Sequence, residues 1–254
     1  MCRRARLVLA EIRLAGEEVR DLKEGFGGRV AVGSLLAASA RLLPEAIARL
    51  RRARPKVSVH VVEGTNDVLM PALRIGELDL VVGRLSEFRE RAALRQEVLY
   101  DEITCLVVRP GHPLLQRPEV ALADTLEWDF ILPRPETTLR RQLEKAFHDE
   151  GLEPPPARVE SVSVLTNRHL AMETDAISVW PHQVVRRDLL DGLLVRLPLQ
   201  LWQASGPVGV TVRSSGPTTP AAAALLDELR AVAATDPPGA PRRGDIHGMN
   251  IQFE

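Results

Sequence analysis

From Arg29 onward the chain alternates short β-branched runs with amphipathic stretches, and that alternation restricts the fold more than any other feature. RVAVG at 29–33 reads as a strand, 40–53 as a helix, VSVHVVE at 57–63 as a strand, 66–75 as a helix and LDLVVG at 78–83 as a strand. That order predicts a parallel sheet covered by helices, because parallel neighbours need a crossover and the crossover packs back on the sheet. Right-handed crossovers set the strand carboxyl ends along one edge.

After a break the same grammar returns. Residues 94–100 and 103–108 (ITCLVV) read as strands, and RPGHP at 109–113 carries turn chemistry. There follow a strand at 129–132 (DFIL), a helix at 137–150 ended by Gly151, a strand at 159–164 and a helix at 166–174. Next come a strand at 176–180 (AISVW), a helix at 184–191 ended by Gly192, and strands at 193–197 and 208–213 (VGVTVR). A final alanine-rich helix spans 219–233, with Thr219 as its cap and Pro220 at its first position. The expected architecture is α/β with two Rossmann-like lobes: 29–107 plus 208–234 form the first and 108–207 the second. A chain of 254 residues has room for two such units. Residues 235–254, with their prolines and glycines and little apolar periodicity, are expected to be a disordered tail.

Ahead of the lobes, Ala5, Val8, Ile12, Ala15, Val19, Leu22 and Phe26 recur at alternating spacings of three and four. This is a coiled-coil seam, so 1–25 reads as a linker helix that pairs subunits, stopped by Gly25, Gly27 and Gly28. A surface helix packed on its own domain is the competing reading.

Composition narrows the function. Lysine plus arginine (33) nearly balances aspartate plus glutamate (34), so the chain has no global electrostatic footprint for nucleic acid, and 4% aromatic residues leave little for base stacking. The basic run Arg49, Arg51, Arg52, Arg54 and Lys56 therefore reads as a solvated or subunit-facing helix rather than a nucleic-acid surface. Cys2 and Cys105 lack metal-ligand spacing, and Glu11 and Arg13 interrupt the first apolar stretch before a signal-peptide core is complete. A cytoplasmic protein with reduced thiols and no membrane span is expected. Neither a phosphate loop, a nucleophile elbow nor a zinc signature occurs, so no enzyme and no cofactor is expected.

Open parallel sheets bind ligands beyond the carboxyl ends of their strands, where helix N-termini offer N–H groups. The candidate turns are Gly33 to Ser39, which includes Ser34, Leu35 and Ser39, and Gly64-Thr65-Asn66. Arg84 follows a strand and could fork onto a carboxylate, or pair with Glu87. In the second lobe the turn holding Arg134, Glu136, Thr137 and Thr138 offers hydroxyls and charge, and Thr166 opens another helix. Trp180 is either a pocket wall or a core residue, and capping competes with ligand binding for every hydroxyl named.

The segment from Gly28 to Arg84 carries a strand, a helix with Leu43-Pro44, a second strand after Arg54-Pro55, and the closing Gly76-Glu77-Leu78-Asp79. With the Gly111-His112-Pro113-Leu114 turn, Trp180-Pro181, and Arg6, Leu9, Ala10 and Glu11 in the first helix, it resembles the effector-binding domain of LysR-type transcriptional regulators over about 3–233. The wording is most like the branch linked to galactose-binding-protein and protocatechuate-pathway regulators. The resemblance implies a type II periplasmic-binding-protein-like fold, a small-molecule effector between the lobes, and a homodimer or tetramer. It puts Ser34, Leu35 and Thr65 at effector contacts, and it implies operator DNA read through a winged helix-turn-helix that should precede the linker helix. Because the chain starts at that helix, weak DNA binding by this polypeptide alone is expected. Where many relatives carry hydroxyls in the first turn, this chain has Leu35, Leu36, Ala37 and Ala38, which suggests an effector with some apolar bulk. A solute-binding protein serving a transporter shares the fold; the seam and the N-terminal sequence argue against it.

Overall fold

A computed structural model of the chain describes residues 16, 27–85, 93–199, 206–216 and 218–235. The linker helix at 1–25, apart from Gly16, and nearly all of the 235–254 tail lie outside the described residues, as do Cys2 and Glu87.

The first sheet contains β1 (Arg29–Ser34), β2 (Ser58–Glu63), β3 (Leu80–Arg84), β4 (Leu94–Glu102) and β10 (Gly206–Arg213), in the order β2-β1-β3-β10-β4. β1 runs parallel to β2 and β3, whereas β10 returns antiparallel to β3 and β4. Position in the sheet explains the residue pattern. Central β3, LVVGR, is buried along its whole length, while edge strand β2 presents exposed and half-exposed side chains. Helix α1 (Leu36–Ser39) leads into α2 (Leu42–Ala53), which turns Leu42, Leu43, Ala46 and Leu50 inward at helical spacing. Pro44 is tolerated there because the first turn's N–H groups have no partner within the helix. Helix α3 (Asn66–Arg74) covers the other face with Leu69, Met70 and Leu73. The terminal helix, α7 (Pro220–Thr235), packs its small side chains beside α2, and Thr219 Oγ1 accepts from Ala222 N at 3.2 Å, as a cap should. The helix continues through Thr235, one residue into the segment expected to be a tail.

The second sheet repeats the plan as β7-β6-β8-β5-β9. Its strands are β5 (Thr104–Val108), β6 (Phe130–Leu132), β7 (Ala157–Glu160), β8 (Ile177–Pro181) and β9 (Val195–Arg196), with helices α4 (Thr138–Asp149), α5 (Val164–Glu173) and α6 (His182–Leu190). β6 is parallel to β7 and β8, and β5 is antiparallel to β8. Two expectations need correction. β5 pairs in the second sheet, so the chain crosses between lobes just after Glu102 instead of at 107/108, because β4 is already complete as the outer partner of β10. The strand expected at 159–164 ends at Glu160, since Ser163 Oγ accepts from Thr166 N at 3.4 Å and starts α5 at Val164. Two short 3-10 turns, Pro113–Gln116 and Leu122–Glu127, fill the segment between β5 and β6.

Candidate functional site: the edge between the two sheets

Strand carboxyl ends from both sheets face one another, and the residues there bond across the gap. β1 ends at Ser34, whose side chain is buried and whose hydroxyl donates to Leu35 O at a long 3.5 Å. Leu35 N donates to Val82 O at 2.9 Å, pulling the turn against β3 so closely that a Cβ at Gly83 would collide with the Leu35 side chain. Gly83 sits at φ +142°, a conformation that glycine alone takes without strain. Leu35 packs with the Leu69 cluster of its own lobe, and Leu36 reaches over to pack on the core of the second sheet. The apolar first turn is thus an interlobe contact, which gives Leu36 a structural reason to replace a hydroxyl. Ser39 donates to Leu36 O at 2.9 Å within its own short helix.

Beside this turn, Thr65 donates to Asp67, and that bond, joined by the charge of Arg134, holds the Asp67 carboxyl below the usual range. Asn66 Nδ2 donates across the gap to Thr138 Oγ1 at 3.2 Å. Thr137 Oγ1 accepts from Arg140 N at 3.2 Å, capping α4, and donates to Arg134 O at 2.8 Å. Arg134 lies 3.4 Å from Glu136 in a half-exposed ion pair.

Arg84 is the principal charged side chain of this edge. It is 4% exposed, with Nη1 2.9 Å from Gln142 Oε1 on α4 and Nη2 3.3 Å from Thr104 Oγ1 on β5, both in the second lobe. Burial lowers its pKa, and the nearby Glu102 carboxylate opposes that shift. Glu102 is 0% exposed; its Oε1 accepts from Gln183 N at 3.2 Å, and its Oε2 accepts no hydrogen bond from a described residue. Burial pushes its carboxyl up to about 7, although the backbone N–H groups of Gln183 and His182 and the charges of Arg84 and Arg41 pull the other way.

The structure therefore brings Ser34, Leu35, Thr65, Arg84, Arg134, Glu136 and Thr137 to the facing turns. Thr166 is exposed at the start of α5, donating to Ser163 Oγ at 2.9 Å. Trp180 takes the core alternative: it is 2% exposed among Cys105, Val107, Val185 and Leu194. Sequence reasoning placed Asn66 in a candidate turn but missed Thr104, Gln142 and above all Glu102, whose only signal was an acidic pair, Asp101-Glu102, breaking two apolar strands. A separate open hollow of about 380 Å³ lies at the opposite, N-terminal ends of β6, β7 and β8, walled by Trp128, Ile131, Val159 and Leu170 with Asp129 and Arg158 among its lining residues. Among the described residues no cluster of side chains could hold a metal ion, and no helix is long and apolar enough to cross a membrane.

Two mixed sheets of equal strand order, joined by crossing strands and meeting at their carboxyl edges, are a fold that more than one kind of binding protein uses, and sequence similarity decides between them. The LysR substrate binding domain matches residues 23–234. The chain belongs to the LysR family of transcriptional regulators. As an effector-binding domain of that family it is similar to the regulator PcaQ of Agrobacterium fabrum, 34% identical over 232 residues that cover 91% of this chain and 74% of PcaQ. It is also 31% identical to GbpR of Azospirillum brasilense, over 92% of this chain and 69% of that regulator. Among solved structures, the Synechocystis CcmR regulatory domain in complex with 2-PG shares the fold at TM-score 0.73 and 18% identity, over 83% of this chain and 99% of that one. The effector-binding domain of QuiR in complex with shikimate does so at TM-score 0.69 and 17% identity, over 83% and 99%. Full-length CbnR with its target DNA matches 90% of this LysR chain and 79% of its own at TM-score 0.69 and 21% identity.

Proposed function

We propose that this LysR domain binds a small organic effector between its two lobes, at the facing turns of Ser34–Leu35, Thr65–Asn66, Arg84 and Thr137–Thr138, and that binding shifts the closure of the lobes. One observation carries the reading. Side-chain hydrogen bonds that tie one lobe to the other, Asn66 to Thr138 and Arg84 to Gln142 and Thr104, come from these same turns, with Gln183 N to Glu102 Oε1 as a further tie. A ligand that replaced them would change interlobe geometry, and a ligand that contacts both lobes differently in open and closed states can shift that equilibrium. The lobes, 29–103 with 206–235 and 104–199, would pass the shift to a linker helix at 1–25 that pairs subunits in a dimer or tetramer and sets how a winged helix-turn-helix meets operator DNA.

The cationic fork of Arg84 and the hydroxyls of Thr137 and Thr138 suit a carboxylate bearing hydroxyls. The bound molecules of CcmR and QuiR, 2-PG and shikimate, support a small effector in this fold. The domain acts in the cytoplasm and catalyses no reaction. Native mass spectrometry of the chain purified without denaturation tests the assignment: a retained small molecule is expected, with its occupancy falling at least about tenfold in Thr138→Val. Retention unaffected by Thr138→Val would remove the effector from this edge.

A further inference from the structure

Glu102 occupies an unusual place. It ends β4 at the point where the chain leaves the first lobe, yet its cover comes from both lobes. From the first lobe come Arg84 at the end of β3, Arg41 ahead of α2 and Tyr100 on β4 itself; from the second come the α6 backbone N–H groups of His182 and Gln183 and, on β5, the buried Cys105 thiol. Opposite it on β10 stands Gly206, which has no titratable side chain. Arg84, the opposite charge that acts most strongly on it, is held against the second lobe by Gln142 and Thr104. Separating the lobes would therefore strip Glu102 of the Gln183 hydrogen bond, release Arg84 and admit water in one movement.

We propose that Glu102 makes lobe closure proton-linked: its carboxyl takes up a proton from solvent as the lobes close and returns it as they open. The inference rests on the lobe movement in the proposed function, but it needs no effector. The sign follows from burial. In the closed arrangement desolvation raises the carboxyl to about 7, from an ordinary value of 4.5. In an open arrangement water restores the ordinary value, so the closed state binds the proton more tightly. Closure is fully favoured below the lower of these values and weakens as pH rises through the higher. Arg84 stays charged throughout and moderates the change without reversing it, since burial is the dominant influence on Glu102.

Spin labels at exposed Glu77→Cys and Glu153→Cys, one on each lobe, in the full chain carrying Cys2→Ser, report the interlobe distance by pulsed electron resonance. Without added ligand, the closed-to-open ratio is expected to fall roughly 25-fold between about pH 5.5 and about pH 8. Glu102→Gln should abolish that response. Gln142→Ala should keep the response and move both distributions toward longer distances. A wild-type distance independent of pH, an unchanged response in Glu102→Gln, or no displacement in Gln142→Ala would each overturn the proposal. Should Glu102→Gln fail to fold, isotope-edited infrared spectra of the wild type decide: a buried protonated glutamic acid band is expected at the lower pH and lost at the higher, and its absence at the lower pH rejects the idea. Distances that ignore pH but change with the molecule retained in native purification would sink the proton link and leave effector closure standing. Distances fixed under both treatments would remove both.

Discussion

The two lobes share a strand order but divide the polar work unequally. The first contributes the buried charges of the edge, Arg84 and Glu102; the second answers with neutral partners, the Gln142 amide, the Thr104 hydroxyl and the Gln183 backbone N–H. Opposite charges on opposite lobes would clamp the sheets, because breaking a buried ion pair is costly. Buried charge on one side and dipoles on the other, with exposed Asp67 and half-exposed Arg134 left to solvent, gives hydrogen bonds to ions, each worth about 1.5–3 kcal/mol, strong enough to favour closure and weak enough for a ligand or water to replace. The proposed effector edge needs that intermediate strength.

Removing the charged side should have the largest effect. Arg84→Ala leaves Glu102 buried without its strongest counter-charge and is expected to cost about 3 kcal/mol in urea unfolding near pH 8. The loss should shrink near pH 5.5, where Glu102 carries its proton and needs no cation. In the wild type, a carboxyl raised to about 7 adds stability that is complete below its ordinary value and declines as pH rises through about 7. Equal losses for Arg84→Ala at both pH values would break the contrast drawn between the lobes, since Arg84 would then be acting through packing alone.

A neutral partner on the second lobe should matter less. Thr137→Ala removes the side-chain acceptor for Arg140 N and should lower stability by about 1 kcal/mol, the usual worth of a cap, with no dependence on pH. A pH-dependent loss would mean that the second lobe shares in the titration, and urea midpoints at two pH values distinguish the cases.

Local pattern made most of the architecture readable. Alternating Val30 and Val32, the unbroken LVV of β3 and the Thr219-Pro220 start of the last helix each report their own surroundings. The misreading at 159–164 came from Val162 and Val164, β-branched residues that sit in a half-exposed loop and at a helix start because Ser163 caps there. The candidate site could be proposed as a set of turns but not as a network. Arg84 meets Gln142 across 58 residues and Glu102 meets Gln183 across 81, separations at which no periodicity carries information. Leu36 shows the same limit from the apolar side, since only the assembled lobes reveal that its partner is the second core and not a ligand.

The hollow at the far end of the second sheet supplies the smallest expected effect and the sharpest control. Its ion pair, Arg158 Nε to Asp129 Oδ1 at 3.1 Å, joins side chains that are 67% and 66% exposed. Water already screens both groups, so Arg158→Ala should change stability by less than about 0.5 kcal/mol and leave interlobe distances unaltered at any pH. The same side-chain type buried at Arg84 and solvated at Arg158 isolates burial as the variable. If Arg158→Ala moved the lobes, charge anywhere on the second sheet would be coupled to closure, and the special standing of the facing edge would have to be given up.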